Sequence, residues 1–234
     1  MNAIRKSNCI EDLRTRILTL DLSPGSALEE PVLCERYGMS RTPMREILQR
    51  LYGEGYVELS QNRGAKVASM DLLVMRTFFR TAPMIYSAIS RLAAENRRVQ
   101  DLVLLREVQG AFRKATETGA VAESAMLNHR FHLSIGHMAR NPYLLPSLER
   151  MLIDHTRLSQ TFYNPGSEDE RERVARAVEQ HDTMIAAIEA QDGEAATQLS
   201  IDHWALSRDR LEQFVRPDPL PLDMLVEQGD RYAV

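Results

Sequence analysis

Two short helical patterns joined by a tight connection constrain this chain more than any other feature of it. Residues 30–37 open near Pro31 and offer Val32, Leu33 and Tyr37 for packing, and Gly38 is placed to end the helix. The next helix starts after Ser40, whose hydroxyl is a good N-cap, and Pro43 sits early enough in it to cost little. Met44, Ile47, Leu48 and Leu51 follow the i, i+3, i+4, i+7 spacing of a helix with one buried face. Arg41, Thr42, Arg45 and Gln49 lie off that face. They present guanidinium, hydroxyl and amide groups, the chemistry that engages phosphates and base edges.

The segments on either side complete a small unit. Ile10, Leu13, Ile17 and Leu20 predict a first helix over 10–20, broken by Ser23-Pro24-Gly25. After Gly53-Glu54-Gly55 come two extended pieces, 56–59 and 65–68, joined by a turn at Gln61-Asn62-Arg63-Gly64. Three helices followed by a two-stranded ribbon make a winged helix-turn-helix; the alternative for the segment is a small helical module that binds protein.

Beyond Met70 no convincing strand remains. Helical periodicities predict helices at 72–95, 99–118, 121–139, 142–162, 169–190 and 193–215, with Pro142 at a first helical position and Pro83 expected to kink or interrupt the first of them. Met75, Met84, Met126, Met138, Met151 and Met184 are expected to be core packing. The chain is therefore mainly α: a winged domain over 1–70, an all-helical bundle over 71–216, and a Pro-containing tail over 217–234.

Composition bounds the function. No apolar run is long enough to span a bilayer and the N-terminus lacks a signal peptide's apolar segment, so the expectation is a cytoplasmic protein with no membrane partner. Cys9 and Cys34 are too few and too ill-spaced for a disulfide framework or a zinc ribbon. A net charge of -4 weighs against unselective coating of nucleic acid but allows a local basic surface.

Leu13-Arg14-x-x-Ile17, Ser23-Pro24-Gly25-x-x-Leu28, residues 37–46, Leu51-x-x-Glu54-Gly55-Tyr56-Val57 and Asn62-Arg63-Gly64-x-x-Val67 together resemble the GntR family of bacterial transcription regulators. Asn128-x-x-Phe131-His132, Asn141, Gln180-His181-x-x-Met184-Ile185-x-x-Ile188, Asp192, Ala195-Ala196 and His203 resemble the helical FCD effector domain of its FadR-type branch. The resemblance implies a recognition helix in the major groove, with Arg41 and Arg45 toward guanine or phosphate and Ser40 and Thr42 toward phosphate. Arg63 and Gly64 would then form the wing tip, where a side chain at Gly64 would hold the ribbon off the duplex. Pairing of Arg45 or Arg50 with Glu46 or Glu54 is the bland alternative. A homodimer on palindromic double-stranded operator DNA is expected, because one half-site binds weakly.

In the helical half, Asn128 and His132 share a helix face, and His181 and His203 lie on two later helices. Three imidazoles and an oxygen donor could hold one divalent metal, zinc, nickel or manganese, per chain. The resembling family usually has Asp where this chain has Asn128, and the amide brings no charge. The alternative is a metal-free polar pocket in which the same histidines bond an effector carboxylate or water. Arg80, Tyr86, Arg130 and Arg157 are candidate effector contacts, with a solvated Arg80 as the alternative to a ligand-binding one. His129, His137 and His155 are read as surface or interhelical residues without a role.

The expected function is a ligand-responsive, sequence-specific transcription regulator, a repressor, whose helical domain binds a small carboxylate. Met70-Asp71-Leu72-Leu73 is the expected joint between the domains. A regulator sensing the metal itself is an alternative. A metal-dependent enzyme is disfavoured, because there is no His-Glu-x-x-His and no acid within one helical turn of His132 in a general-base position.

Overall fold

The structure is a computed structural model that describes residues 2–60 and 64–213. In chain order the elements are α1 Asn2–Leu18, β1 Ala27–Leu28, α2 Glu30–Tyr37, α3 Arg41–Glu54, β2 Val57–Ser60 and β3 Gly64–Val67. They continue with α4 Leu72–Asn96, α5 Val99–Glu117, α6 Val121–Met138, α7 Leu144–Phe162, α8 Glu168–Glu189 and α9 Gly193–Gln213. This is a winged helix-turn-helix followed by an all-helical bundle. Arg63, most of the expected wing turn and the Pro-containing tail lie outside the described residues.

In the N-terminal unit the periodic residues of α3 do what their spacing requires. Met44, Ile47, Leu48 and Leu51 are buried and meet Leu13 and Ile17 of α1, Leu33 of α2, and Val57 and Val67 of the sheet. At ~1.5–3 kcal/mol for each such side chain removed from water, this cluster fixes how α3 is presented. Gly38 ends α2 in the left-handed region (φ 59°), its N–H bonded to the carbonyls of Cys34 and Glu35, and so turns the chain into α3.

Four details depart from the sequence reading. α1 begins at Asn2, well before residue 10, and ends at Leu18. Val32 is exposed rather than packed, because α2 buries Leu33 and turns Val32 outward. Ser40 occupies the N-cap position, but its hydroxyl makes no capping bond. The sheet has three strands in the order β1-β3-β2, all antiparallel, because Ala27 and Leu28 pair with Lys66 and Ala65.

The bundle has a large apolar core that includes Met75, Phe78, Tyr86, Leu105, Phe131, Leu148, Leu152, Ile185 and Trp204. α4 runs unbroken through Pro83. Burial of Phe78, Ala82, Tyr86 and Ile89 on both sides of the proline holds the helix where its missing N–H would otherwise weaken it. Pro142 precedes α7 rather than starting it: the Asn141 side-chain oxygen accepts from the N–H groups of Tyr143 and Leu144, both at 3.0 Å. Met75, Met138 and Met184 are core residues, Met126 and Met151 are partly buried, and Met84 is 70% exposed, contrary to the expectation of packing. No described helix is long and apolar enough to cross a membrane.

Candidate functional site

The exposed face of α3 carries Arg41, Thr42, Arg45 and Gln49, with Ser40 just ahead of it, so five of the residues singled out in sequence share one surface. Both guanidinium groups lean toward one carboxylate, Glu30 on α2: Arg45 Nε donates to it at 2.7 Å and Arg41 Nε lies 3.6 Å away. Sequence spacing pointed to Glu46 as Arg45's alternative partner, but Glu46 pairs with Lys6, and only the Arg50–Glu54 pair (3.0 Å) runs along the helix. Gly64 opens β3 with φ +76°, and a Cβ there would meet nothing within 4 Å. The conformation itself therefore calls for glycine.

The second site lies inside the bundle and draws on all six of its helices. α6 supplies Asn128 and His132, α8 His181 and α9 His203, and one ligand atom from each of the three histidines lies within 4.8 Å of the others. His181 Nε2 and His203 Nε2 face each other at 3.2 Å. Their other ring nitrogens each meet an amide oxygen at 3.0 Å, Gln109 Oε1 of α5 for His181 and Gln180 Oε1 of α8 for His203. The Gln109 amide nitrogen donates to the Val178 carbonyl (2.9 Å) and to Asp182 (3.2 Å), so its oxygen must be the atom turned to His181. His181 then carries its proton on Nδ1 and directs the Nε2 lone pair into the cluster, as a glutamine in contact with a metal-ligating histidine would enforce. Phe131 stacks on the His181 ring at 3.8 Å between centroids and holds its plane.

Electrostatics keep the cluster neutral. Burial, then the neighbouring imidazoles, hold His132 and His181 well below the usual histidine range, and burial pushes His203 down to about 4. Asn128 Oδ1 and His132 Nε2 are buried with no hydrogen-bond partner among the described residues. An unsatisfied buried acceptor costs ~1–3 kcal/mol, and two of them beside converging lone pairs form a donor set without an acceptor of its electrons. Two nitrogens bound to one ion at ~2.1 Å each stand roughly 3–3.4 Å apart, which the 3.2 Å separation matches.

Tyr86 of α4 is brought to this site, edge-on to His132 at 5.3 Å, and its hydroxyl meets His155 Nδ1 at 2.7 Å. His155, left without a role in sequence, is buried in the same cluster at 5.4 Å from His132, with Trp204 at 5.7 Å. Its spacing from Leu148 and Leu152 on the buried face of α7 was the available signal. Gln109 and Trp204 were also missed, since a lone amide or indole on an apolar face carries no pattern. His129 is partly buried against Thr156 (2.8 Å) and His137 is exposed.

The other candidates do not join the site. Arg80 and Arg130 are exposed, so their guanidinium groups remain in water rather than turning into the bundle. Arg157 is fully buried, but it is committed to Asp154 and to the Ala68 carbonyl (2.7 Å).

The comparisons agree with this architecture. Residues 6–67 match the family described as bacterial regulatory proteins, gntR family, and residues 81–206 match the FCD domain. Among similar proteins of Escherichia coli K12, the HTH-type transcriptional regulator McbR is 26% identical over 78% of this chain and 81% of its own length. The galactonate operon transcriptional repressor is 24% identical over 81% and 89%, and the Glc operon transcriptional activator is 29% identical over 60% and 63%. The solved structure of E. coli McbR/YncC superposes with a TM-score of 0.76 at 24% identity, covering 91% of this chain and 99% of that one. A winged unit with a polar α3 face, joined to a helical bundle that gathers histidines, thus has its place among known folds: the chain belongs to the gntR family of bacterial regulators, in the FadR-type branch with an FCD domain, and is a transcription regulator rather than an enzyme.

Proposed function

We propose that residues 1–70 bind double-stranded operator DNA with sequence selectivity and that residues 71–216 bind a small carboxylate effector that changes operator affinity. The observation that carries the DNA reading is the single exposed face of α3 bearing Arg41, Thr42, Arg45 and Gln49 over a fully apolar underside. Arg63 and Gly64 are assigned to the wing contact. Repression is the simpler action, because it needs only occupancy of the operator, whereas activation needs a further surface for the polymerase. The relatives' names include one repressor and one activator.

His132, His181, His203 and Asn128 would hold one zinc, nickel or manganese ion, and the orphaned Asn128 Oδ1 and His132 Nε2 support that reading. When bound, such an ion supplies positive charge that attracts a carboxylate. Tyr86 and His155 stand on the side of the cluster facing α4 and α7, where they would orient that carboxylate; Arg80, Arg130 and Arg157 have no part in it. We assign dimerisation to the face of α4 and α7, where a groove of about 670 Å³ is lined by Leu73, Val74, Phe78, Ile85 and Met151 beside the exposed Met84. A two-fold pair of winged units matches a palindromic operator.

The test is selection of binding sites from random duplex DNA, followed by titration of Arg45→Ala on the selected site. Loss of one such contact costs ~1–3 kcal/mol, or roughly 5- to 150-fold, and relaxes selectivity at one position. Affinity within about twofold of the unaltered protein would overturn the recognition-helix assignment.

A further inference from the structure

One face of α7 touches the histidine cluster and the opposite face touches the winged unit. On the first, His155 meets Tyr86 and packs near His132. On the second, Arg150, Arg157 and Gln160 recur at i, i+7 and i+10, a single helical stripe. Each reaches a different terminus of the DNA-binding machinery. The Arg150 side chain lies over Gly55, the left-handed C-cap of α3, so closely that a Cβ at Gly55 would sit 2.3 Å from its Cδ. Arg157 Nη1 donates to the carbonyl of Ala68 at 2.7 Å, just past the end of β3. Gln160 Nε2 donates to the carbonyl of Leu18 at 3.1 Å, the last residue of α1.

Arg157 is the most committed of the three. Its side chain has no exposure, and Asp154 one turn earlier neutralises it. The carbonyl it holds belongs to a residue whose own N–H donates to Tyr56 at the root of the wing (2.9 Å), and the next N–H, of Ser69, donates to Glu58 of β2 at 2.7 Å. The guanidinium Nε has no partner among the described residues, so the bonds within them do not fully repay its burial. A group kept at that cost is placed for position.

We propose that Arg157 is the pin through which α7 fixes the winged unit onto the bundle, and that occupancy of the histidine cluster reaches the DNA-binding surface along α7 by way of His155, rather than through the Met70–Leu73 connection alone. A shift of α7 at His155 moves Arg150, Arg157 and Gln160 with it, because they ride on one rigid helix. The recognition helix, the wing and α1 are then displaced together. The second clause rests on the site reading given under Proposed function; the first does not.

Hydrogen exchange on the full-length protein tests both. The variant is Arg157→Met with Asp154→Asn, which removes both charges and leaves no uncompensated ion; Gln160→Leu serves as a second, milder variant. Without ligand, the double variant is expected to exchange at least about tenfold faster than the unaltered protein in peptides covering 66–71, with α5 and α6 peptides unchanged. Equal exchange at 66–71 in both variants would overturn the pin. Zinc chloride is then added. In the unaltered protein, protection should rise in peptides bearing His132, His181 and His203 and change at 52–71 as well, whereas the double variant should keep the first response and lose the second. A response at 52–71 that persists in the double variant would overturn the α7 route. No zinc uptake by the unaltered protein would overturn the metal reading instead, while the ligand-free comparison still decides the pin.

Discussion

Replacing Glu30 by Gln should tighten binding to DNA. Arg45 and Arg41 both lean on this one carboxylate, at 2.7 and 3.6 Å, and both arginine side chains are largely exposed, at 67% and 70%. To contact phosphate or base, the guanidinium groups must leave Glu30 or drag its negative charge toward the duplex. An exposed pair of this kind is worth ~0.2–1 kcal/mol, and the longer Arg41 contact belongs at the bottom of that range. Losing both frees the two guanidinium groups and should raise affinity by roughly fivefold at most at low salt. The gain should shrink as salt is raised, because screening weakens both the pair and the repulsion between Glu30 and phosphate. Fluorescence anisotropy with a labelled operator duplex and a scrambled duplex, at two salt concentrations, measures it. The electrostatic argument predicts a similar gain on both duplexes. If Glu30→Gln instead weakened operator binding while leaving the scrambled duplex unaffected, Glu30 would be holding Arg45 in its reading rotamer, and the reasoning would be refuted.

Three further outcomes are expected. His132→Ala should abolish zinc retention in native mass spectrometry while leaving operator binding by the metal-free protein unchanged; a variant that keeps one zinc per chain would remove His132 from the site. Gly136→Ala should destabilise the bundle, because the new Cβ would lie 2.4 Å from Cδ2 of the fully buried Leu148. Overpacking of this kind costs ~1–3 kcal/mol, of which Ala's better helix propensity returns ~1 kcal/mol, so the midpoint should fall by up to roughly 8 °C; a raised midpoint would contradict the packing described. Glu58 is held down from 4.5 to about 2, first by the Ser69 N–H and then by Lys66. A lowered carboxyl stabilises the fold above its unfolded value and loses that contribution as pH falls from about 4.5 toward 2. Glu58→Gln should therefore flatten the acid limb of stability against pH in that window, and an equally steep limb would rule the interaction out.

Periodicity made much of this molecule legible. Met44, Ile47, Leu48 and Leu51 announce the buried side of α3, and by exclusion its polar side, because helix geometry alone fixes which residues share a face. His132, His181 and His203 could be brought together only because the family resemblance aligned three separate helices; no spacing within the chain encodes that meeting. His155 and Arg157 show the limit. Both sit among apolar residues of α7, and whether a polar side chain there points to a pocket, a backbone carbonyl or a neighbouring domain depends on tertiary partners far away in sequence. Ala68 is 89 residues from Arg157. Arg80 and Arg130 failed to reach the cluster for the complementary reason, since an arginine on an amphipathic helix goes to water unless a buried anion waits for it. Pro83 warned of a break that packing on both sides prevented, and two residues, Ala27 and Leu28, are too short a run for alternation to reveal a strand.

That short strand has a consequence for the molecule off its DNA. A two-stranded wing would present two open backbone edges, each a template for pairing with another chain. Here β1 occupies the outer side of β3, extended by Val67 N–H to Ser26 and Gly25 N–H to the Val67 carbonyl, so one edge is closed along its length. The sheet's two edges are then β1, only two residues long, and β2, four residues long and carrying the charged Glu58. Short, charged edges resist strand addition. The small sheet can thus stay at the surface without serving as a seed for edge-to-edge aggregation.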